Sequence, residues 1–232
     1  MKNIHRLLLT FGPLLITLIS FSQGQNTLKL KSGDYKLELN TQEFIKDQDI
    51  LADEIIENHY YRIISFSKTP TTEEKISLKL KGIELLDFLP EHSFYARIQL
   101  DADLSILAES NVISVVRIKR NFKLLKDLIN EEYADWAIGS ENELSLNLVF
   151  FSTVSKDYAK NAIEKTGATI LSDIFPETMS VSVNLDSLEA LYKLPFCYYF
   201  EFIDAPEVAE GYSDVANHRS SWLHNPMGSG TS

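Results

Sequence analysis

The 232-residue chain carries 33 acidic against 22 basic side chains, a formal net charge of −11. It has no basic stripe to neutralise phosphates, which argues against a nucleic-acid partner. Hydrophobic residues at 44% and charged residues at 24% are globular proportions and exclude both a disordered chain and a bundle of membrane helices.

The first 22 residues are a different material. Lys2 and Arg6 lead into an apolar run from Leu7 to Phe21, interrupted only by Thr, Gly, Pro and Ser, which is the build of a secretory signal peptide. Ser20 and Ser22 suit signal peptidase, with cleavage before Gln23 or near Gly24. The run is short for a bilayer-spanning helix and holds Gly12-Pro13 in its middle. The expectation over 1–22 is therefore export, giving a secreted or periplasmic protein with no membrane partner after cleavage.

Residues 23–58 read as an arm. Leu28 and Leu30 alternate with lysines, Ser32-Gly33-Asp34 supplies a turn, and Tyr35, Leu37 and Leu39 alternate again, predicting a hairpin over 27–39. An acidic helix is expected from Phe44 to Glu57, with Ile50, Leu51, Ile55 and Ile56 towards the core.

Residues 59–120 predict the order β-α-β-β-α-β. A strand through Ile64 and Phe66 is followed by Thr71 and Glu74, at the spacing of a capping box that satisfies the free amides of a helix start. Ile76 and Leu80 share a face of that helix, and Gly82 fits the left-handed position that ends it. A strand over 83–89, a turn at Pro90-Glu91-His92, and a strand of two-residue period follow. In the latter, Phe94, Ala96, Ile98 and Leu100 alternate with Ser93, Tyr95, Arg97 and Gln99, so one face is buried and the other is wetted or covered. A short helix carrying Leu104, Leu107 and Ala108 leads to a last strand over 112–118.

Residues 121–143 continue a charged stretch, with Lys119, Arg120, Lys123 and Lys126 giving way to Glu131, Glu132 and Asp135, and are expected to be a solvated linker. Residues 144–204 then repeat the first design. Gly82 and Leu89-Pro90-Glu91 have counterparts in Gly167 and Phe175-Pro176-Glu177, a duplication that fixes the architecture. A strand over 144–151 leads to a helix begun at Ser155, with Ala159, Ala162 and Ile163 inward. In the strand over 179–185, Met179, Val181, Val183 and Leu185 alternate with Thr178, Ser180, Ser182 and Asn184. A helix with Leu188, Leu191 and Tyr192 ends at Pro195, before a final strand over 196–203. The expected fold class is α+β: two tandem ferredoxin-like β-α-β-β-α-β modules, each a four-stranded antiparallel sheet with helices on one face. Residues 205–232, broken by Pro206, Gly211, Pro226, Gly228 and Gly230, are expected to be an extended tail.

Chemistry is sparse. Cys197, the single cysteine, cannot form an internal disulfide and sits among aromatic residues, which predicts an inert core thiol. His5, His59, His92, His218 and His224 make no pair at helical ligand spacing. No G-x-S-x-G elbow frames a serine, and the carboxylate pairs Glu73-Glu74 and Glu131-Glu132 have helix-start or linker contexts. No glycine-rich loop cradles a phosphate. The expectation is no catalytic residues, no metal ligands and no cofactor. By alternation, the side chains offered to a partner on the sheet faces away from the helices are Tyr95, Arg97, Gln99, Ser180, Ser182 and Asn184.

Several segments together resemble the N-terminal region of secreted subtilisin-like serine peptidases of the kind found in Bacteroidetes. They are Leu30-Lys31-Ser32-Gly33-Asp34, the run Tyr60 to Phe66 with Pro70-Thr71, the run Gly82 to Pro90, and Ala216 to Ser221 with Gly228-Ser229-Gly230. The resemblance implies ferredoxin-like propeptide modules that chaperone and inhibit a subtilisin-like catalytic domain, in cis or in trans. It also implies that the serine endopeptidase activity belongs to a longer parent protein, because the chain stops before the catalytic Asp, His and Ser motifs. The alternative expectation is a free-standing extracellular interaction module or peptidase inhibitor.

Overall fold

The computed structural model describes residues 27–139 and 142–205; the expected signal peptide and tail lie outside the described residues. The protein is a mixed α+β structure with three antiparallel sheets, one of two strands and two of four. The hairpin pairs β1 (Thr27–Leu30) with β2 (Gly33–Lys36), so the turn falls at Lys31-Ser32 and Gly33 already pairs with Leu30.

The acidic helix is shorter and earlier than predicted: α1 covers Thr41–Asp47. Gln48 and Asp49 follow in left-handed backbone, φ 30° and 31°, which stops a right-handed helix. Their placement answers to Arg62, a buried guanidinium that donates to Asp49 O at 3.1 Å and Glu54 Oε2 at 2.9 Å. A buried cation needs such partners, and meeting them draws residues 49–54 onto the sheet as a 3₁₀ turn at Ala52–Glu54. Ile56 is buried, whereas Leu51 and Ile55 are exposed.

The first four-stranded sheet has β3 (His59–Phe66) and β5 (Ser93–Gln99) at its centre, flanked by β6 (Val112–Arg117) and β4 (Ile83–Leu89), in the order β4-β5-β3-β6. Between the strands lie α2 (Thr72–Leu80) and α3 (Ile106–Glu109). The capping box forms: Thr71 Oγ1 accepts from Glu74 N at 3.2 Å and Glu74 Oε2 accepts from Thr71 N at 2.7 Å. The inward residue of α2 is Leu78, while Ile76 and Leu80 point outward; two positions along a helix is a 200° rotation, so burying Leu78 turns both neighbours to solvent. Gly82 does take left-handed backbone, φ 87°, and its counterpart Gly167 has φ 90°.

The stretch expected as a solvated linker is packed instead. It forms α4 (Arg120–Lys123), α5 (Lys126–Ile129) and a 3₁₀ turn at Asp135–Ala137, with Phe122, Leu124, Leu128 and Ala137 buried. Its charges surround an apolar set that has somewhere to go. Leu124 makes a parallel bridge to Phe200, and Leu125 N donates to Phe200 O at 3.0 Å, so this stretch lies along the edge of the second sheet.

That sheet has the order β10-β7-β9-β8, built from β7 (Glu143–Phe150), β8 (Thr169–Ser172), β9 (Thr178–Asn184) and β10 (Cys197–Phe202), with α6 (Lys156–Glu164) and α7 (Leu188–Tyr192) between them. Ser155 caps α6 by accepting from Tyr158 N at 3.3 Å. Ala159, Ile163, Leu188, Leu191 and Tyr192 are buried beneath it, as the helical spacing predicts.

Two apolar cores result. One lies between the first sheet and its helices and includes Tyr60, Ile64, Leu78, Phe94, Ile98 and Leu107. The other holds the second sheet's interior, Leu144, Leu146, Met179, Val181 and Ile163 among them, and runs without a break through Phe122 and Leu124 to Tyr61, Ile63 and Tyr95 of the first sheet.

Candidate docking site on the second sheet

The two sheets differ in what covers the face away from their helices. In β3 all eight residues are buried. The side chains of Tyr61, Ile63 and Tyr95, on the far side from the helices, meet Leu28 and Leu37 of the arm, Phe122 of the connecting stretch, and Phe151. Tyr95 packs edge-on to Phe151 at 5.3 Å and against Tyr198 at 4.9 Å between ring centroids. Around Tyr61, Ile63 and Tyr95 the first sheet is therefore covered by the chain itself on this side as well, while Arg97 and Gln99 at the end of β5 are not buried.

The second sheet keeps clean alternation. In β9, Met179, Val181 and Val183 are buried while Thr178, Ser180, Ser182 and Asn184 are half-buried, and β7 repeats the pattern with Ser145, Asn147 and Val149 on the open side. Cross-strand pairing brings Asn147 opposite Ser180 and Ser180 opposite Ser172. These polar groups satisfy one another. Ser180 Oγ donates to Asn147 Oδ1, and Ser182 Oγ to Glu143 Oε2, each at 2.7 Å. At one end of this face the β8–β9 loop carries Ile174 and Phe175, exposed at 83% and 51%, next to Leu171 of β8 at 54%. Large apolar side chains grouped on a surface mark a contact region more often than a chance distribution.

The loop is held in place from below. Asp173 is ion-paired with Lys160, its backbone carbonyl accepts from Lys156 Nζ, and Glu177 O accepts from Phe150 N at 3.0 Å. The hydrogen bond from Lys160 holds the Asp173 carboxyl below its ordinary range. Between loop and sheet opens a shallow cavity of about 210 Å³, lined by Asn147, Ser172, Ile174, Phe175, Thr178, Ser180, Ile203 and Asp204.

The residues expected to face a partner are thus divided. Ser180, Ser182 and Asn184 stand on the open second face, although Asn184 Oδ1 is occupied by Asp186 N at 3.0 Å. Gln99 is exposed and Arg97 is half-buried in an ion pair with Glu84 at 2.9 Å. Tyr95 is 5% exposed and is not offered to a partner, because aromatic rings from the other half of the chain cover it. The walls of the cavity, Ile174 and Phe175, were missed by alternation because they lie in a turn; two large apolar residues before a proline, between strands, were the available signal.

Among the described residues no other constellation gathers chemistry. Cys197 is fully buried, and loss of hydration pushes its thiol up to about 12, far from a nucleophile's range. Burial likewise lowers His59, whose Nε2 lies 3.1 Å from Tyr61 Oη. Among the described residues no group of three or more His, Cys, Asp and Glu is placed to hold a metal ion, and no helix is long and apolar enough to cross a membrane.

Residues 29–119 match a family described as "Domain of unknown function (DUF8729)". The match covers less than half of the chain and runs from β1 past β6, so it joins the hairpin arm and the first four-stranded sheet in one unit. No curated protein and no solved structure matches the chain.

Proposed function

We propose that this chain is the non-catalytic, propeptide-like region of a secreted subtilisin-like serine endopeptidase, which chaperones and inhibits the catalytic domain by docking it on the open face of the second sheet. Supporting this reading, each four-stranded sheet, numbered by its own strands, has the order 4-1-3-2 in one direction, which is the ferredoxin-like order with helices on one side. On this reading, residues 59–120 and 144–204 are tandem ferredoxin-like modules. The segments at Leu30 to Asp34, Tyr60 to Phe66 with Pro70-Thr71, and Gly82 to Pro90 that resemble subtilisin-like propeptides fall in the arm and the first of them.

The observation that carries the docking role is the asymmetry between the two sheets. Among the described residues, one face away from the helices is largely covered inside the molecule around Tyr61, Ile63 and Tyr95; the other stays open and carries Leu171, Ile174 and Phe175 at its margin. A free pleated face with an apolar rim can pack on another domain's surface. The division of labour follows: the first half with its arm is a platform, and the second presents the contact.

The test is to add the chain from Gln23 onward to a subtilisin-like catalytic domain from the same source, both native and denatured. Inhibition of peptide hydrolysis together with faster recovery of activity on refolding is the expected result. Neither effect at micromolar concentration would leave a free-standing interaction module as the better account.

A further inference from the structure

We infer that a second cavity, at the joint between the two halves of the chain, is a binding site for a small monovalent anion of halide size. This inference is independent of the docking reading. The cavity measures about 50 Å³, and its walls come from the arm (Glu54), β3 (Tyr61 and Arg62), the connecting stretch (Lys123) and the turn after α7 (Lys193 and Pro195). One enclosed water needs about 10–15 Å³ by such a measure, so the space suits a single ion with a few waters. It falls far short of the roughly 300–1,000 Å³ that takes a whole small molecule.

The charges in these walls do not balance. Glu54, the one carboxylate among them, is already shared, with Arg62 Nη2 at 2.9 Å from Oε2 and Arg117 Nε at 2.6 Å from Oε1. The Asp49 carboxylate pairs with Arg117 at 3.3 Å and is otherwise in solvent. Lys123, only 4% exposed, has no carboxylate partner among the described residues. Its ammonium donates to Tyr192 O at 3.2 Å and Leu194 O at 2.8 Å, which fixes Nζ beside Lys193 and Pro195 at the cavity wall. An ammonium has three N–H donors, so one remains for an occupant. Water could meet that donor but not its charge, and a buried cation is relieved best by a full opposite charge. Lys193, exposed where the wall meets solvent, brings a second ammonium. The net charge of −11 repels anions at a distance, but screening confines that repulsion to about 8 Å at physiological ionic strength, and the cationic walls decide capture.

The experiment is thermal unfolding of the chain from Gln23 onward at pH 7 and fixed ionic strength, with chloride or bromide replacing sulfate. A site on the folded chain should raise the midpoint with the logarithm of halide concentration, by about 3–6 °C for each tenfold increase above the Kd. General salt effects run the other way, because sulfate is the ion that strengthens burial, so a gain from halide reports the site. Lys123→Met, which keeps an unbranched stem, should abolish the gain. Lys193→Gln, at an exposed position that leaves the fold intact, should weaken the apparent halide affinity about two- to fivefold, as for one solvent-accessible ion pair. If Lys123→Met does not fold, Lys193→Gln and a bromide-soaked crystal decide, with anomalous scattering expected to place bromide against Lys123 Nζ. A midpoint that stays level or falls as halide replaces sulfate, a gain undiminished in either variant, or bromide found only elsewhere would overturn the inference.

Discussion

Tyr61 and Phe151, from opposite halves of the chain, lie face to face with ring centroids 4.2 Å apart and planes inclined by 20°. The Tyr61 hydroxyl continues the contact to Thr153 Oγ1 at 2.8 Å, and Phe151 stacks in turn on Tyr198 at 4.8 Å. Both rings of the first pair are almost wholly buried, so this is a joint inside a continuous core.

Phe151→Ala should therefore destabilise the whole chain by about 3–5 kcal/mol, the range for truncating a buried aromatic. Tyr61→Phe, which keeps the ring and loses the hydroxyl's contacts with Thr153 Oγ1 and His59 Nε2, should cost less, about 2 kcal/mol. Urea unfolding followed by tryptophan fluorescence distinguishes them. If Phe151→Ala leaves the midpoint in place, the joint contributes no stability.

Gly82→Ala should be the costlier of the two repeat-glycine substitutions. Both positions have left-handed backbone, φ 87° and 90°, which charges any side chain about 1–2 kcal/mol. At Gly82 an added Cβ would also come within 3.1 Å of Ala102 Cα, whereas at Gly167 its nearest neighbour is Ser187 Oγ at 3.4 Å, a hydroxyl that can swing away. Thermal unfolding of the two variants tests the order.

Lys123 should make stability rise on going from neutral to alkaline pH. Its ammonium is buried between Tyr192 O at 3.2 Å and Leu194 O at 2.8 Å, and burial lowers its pKa from 10.5 to about 8. Between those two values the unfolded chain binds the extra proton, so the penalty carried at pH 7 is relieved as pH climbs from about 8 towards 10.5. The relief is on the order of 2 kcal/mol. Comparing wild type with Lys123→Met by denaturant titration at pH 7 and pH 9.5 cancels the common tyrosine contribution. A constant difference between the two proteins at both pH values would refute the assignment.

Asn40→Ala should both destabilise the chain and make it self-associate. The Asn40 side chain donates to Val115 O at 2.8 Å and accepts from Val115 N at 2.9 Å, while Thr41 Oγ1 donates to Val112 O at 3.0 Å, so the arm's residues close the outer edge of β6. Losing the Asn40 pair leaves backbone groups unmet at a cost of about 1–3 kcal/mol and exposes a strand edge that templates pairing. Sedimentation velocity at increasing concentration reads the second effect; a variant that stays monomeric would show that the edge is protected by other means.

Much of the local structure was legible because it is written in local chemistry. Thr71 with Glu74, Ser155, and the two left-handed glycines mark helix ends through hydrogen-bonding and backbone rules that need no tertiary partner. The period of two in Met179, Val181 and Val183 placed a face correctly for the same reason. The failures have a common cause. Alternation tells which side chains share a face but not what lies on it, so Tyr95 reads like Ser180 although one is sealed and the other open. In the connecting stretch, lysines and glutamates outnumber Phe122, Leu124 and Leu128, and only the edge of β10 gives those three a place to go. In the arm, the helix was cut short by the needs of Arg62, a partner on the next strand rather than on the helix itself. Of the candidate site, the hydroxyl-rich floor was visible from β9, whereas the walls belong to a turn whose position depends on Lys156 and Lys160 reaching across from α6.

The enclosure of β3 on both sides has a consequence in time. Water can reach its amides only when the arm, the connecting stretch and the second half all part from the first sheet together. Deuterium should therefore enter β3 no faster than the molecule as a whole comes apart, while β8, an edge strand of four residues, exchanges through small local openings.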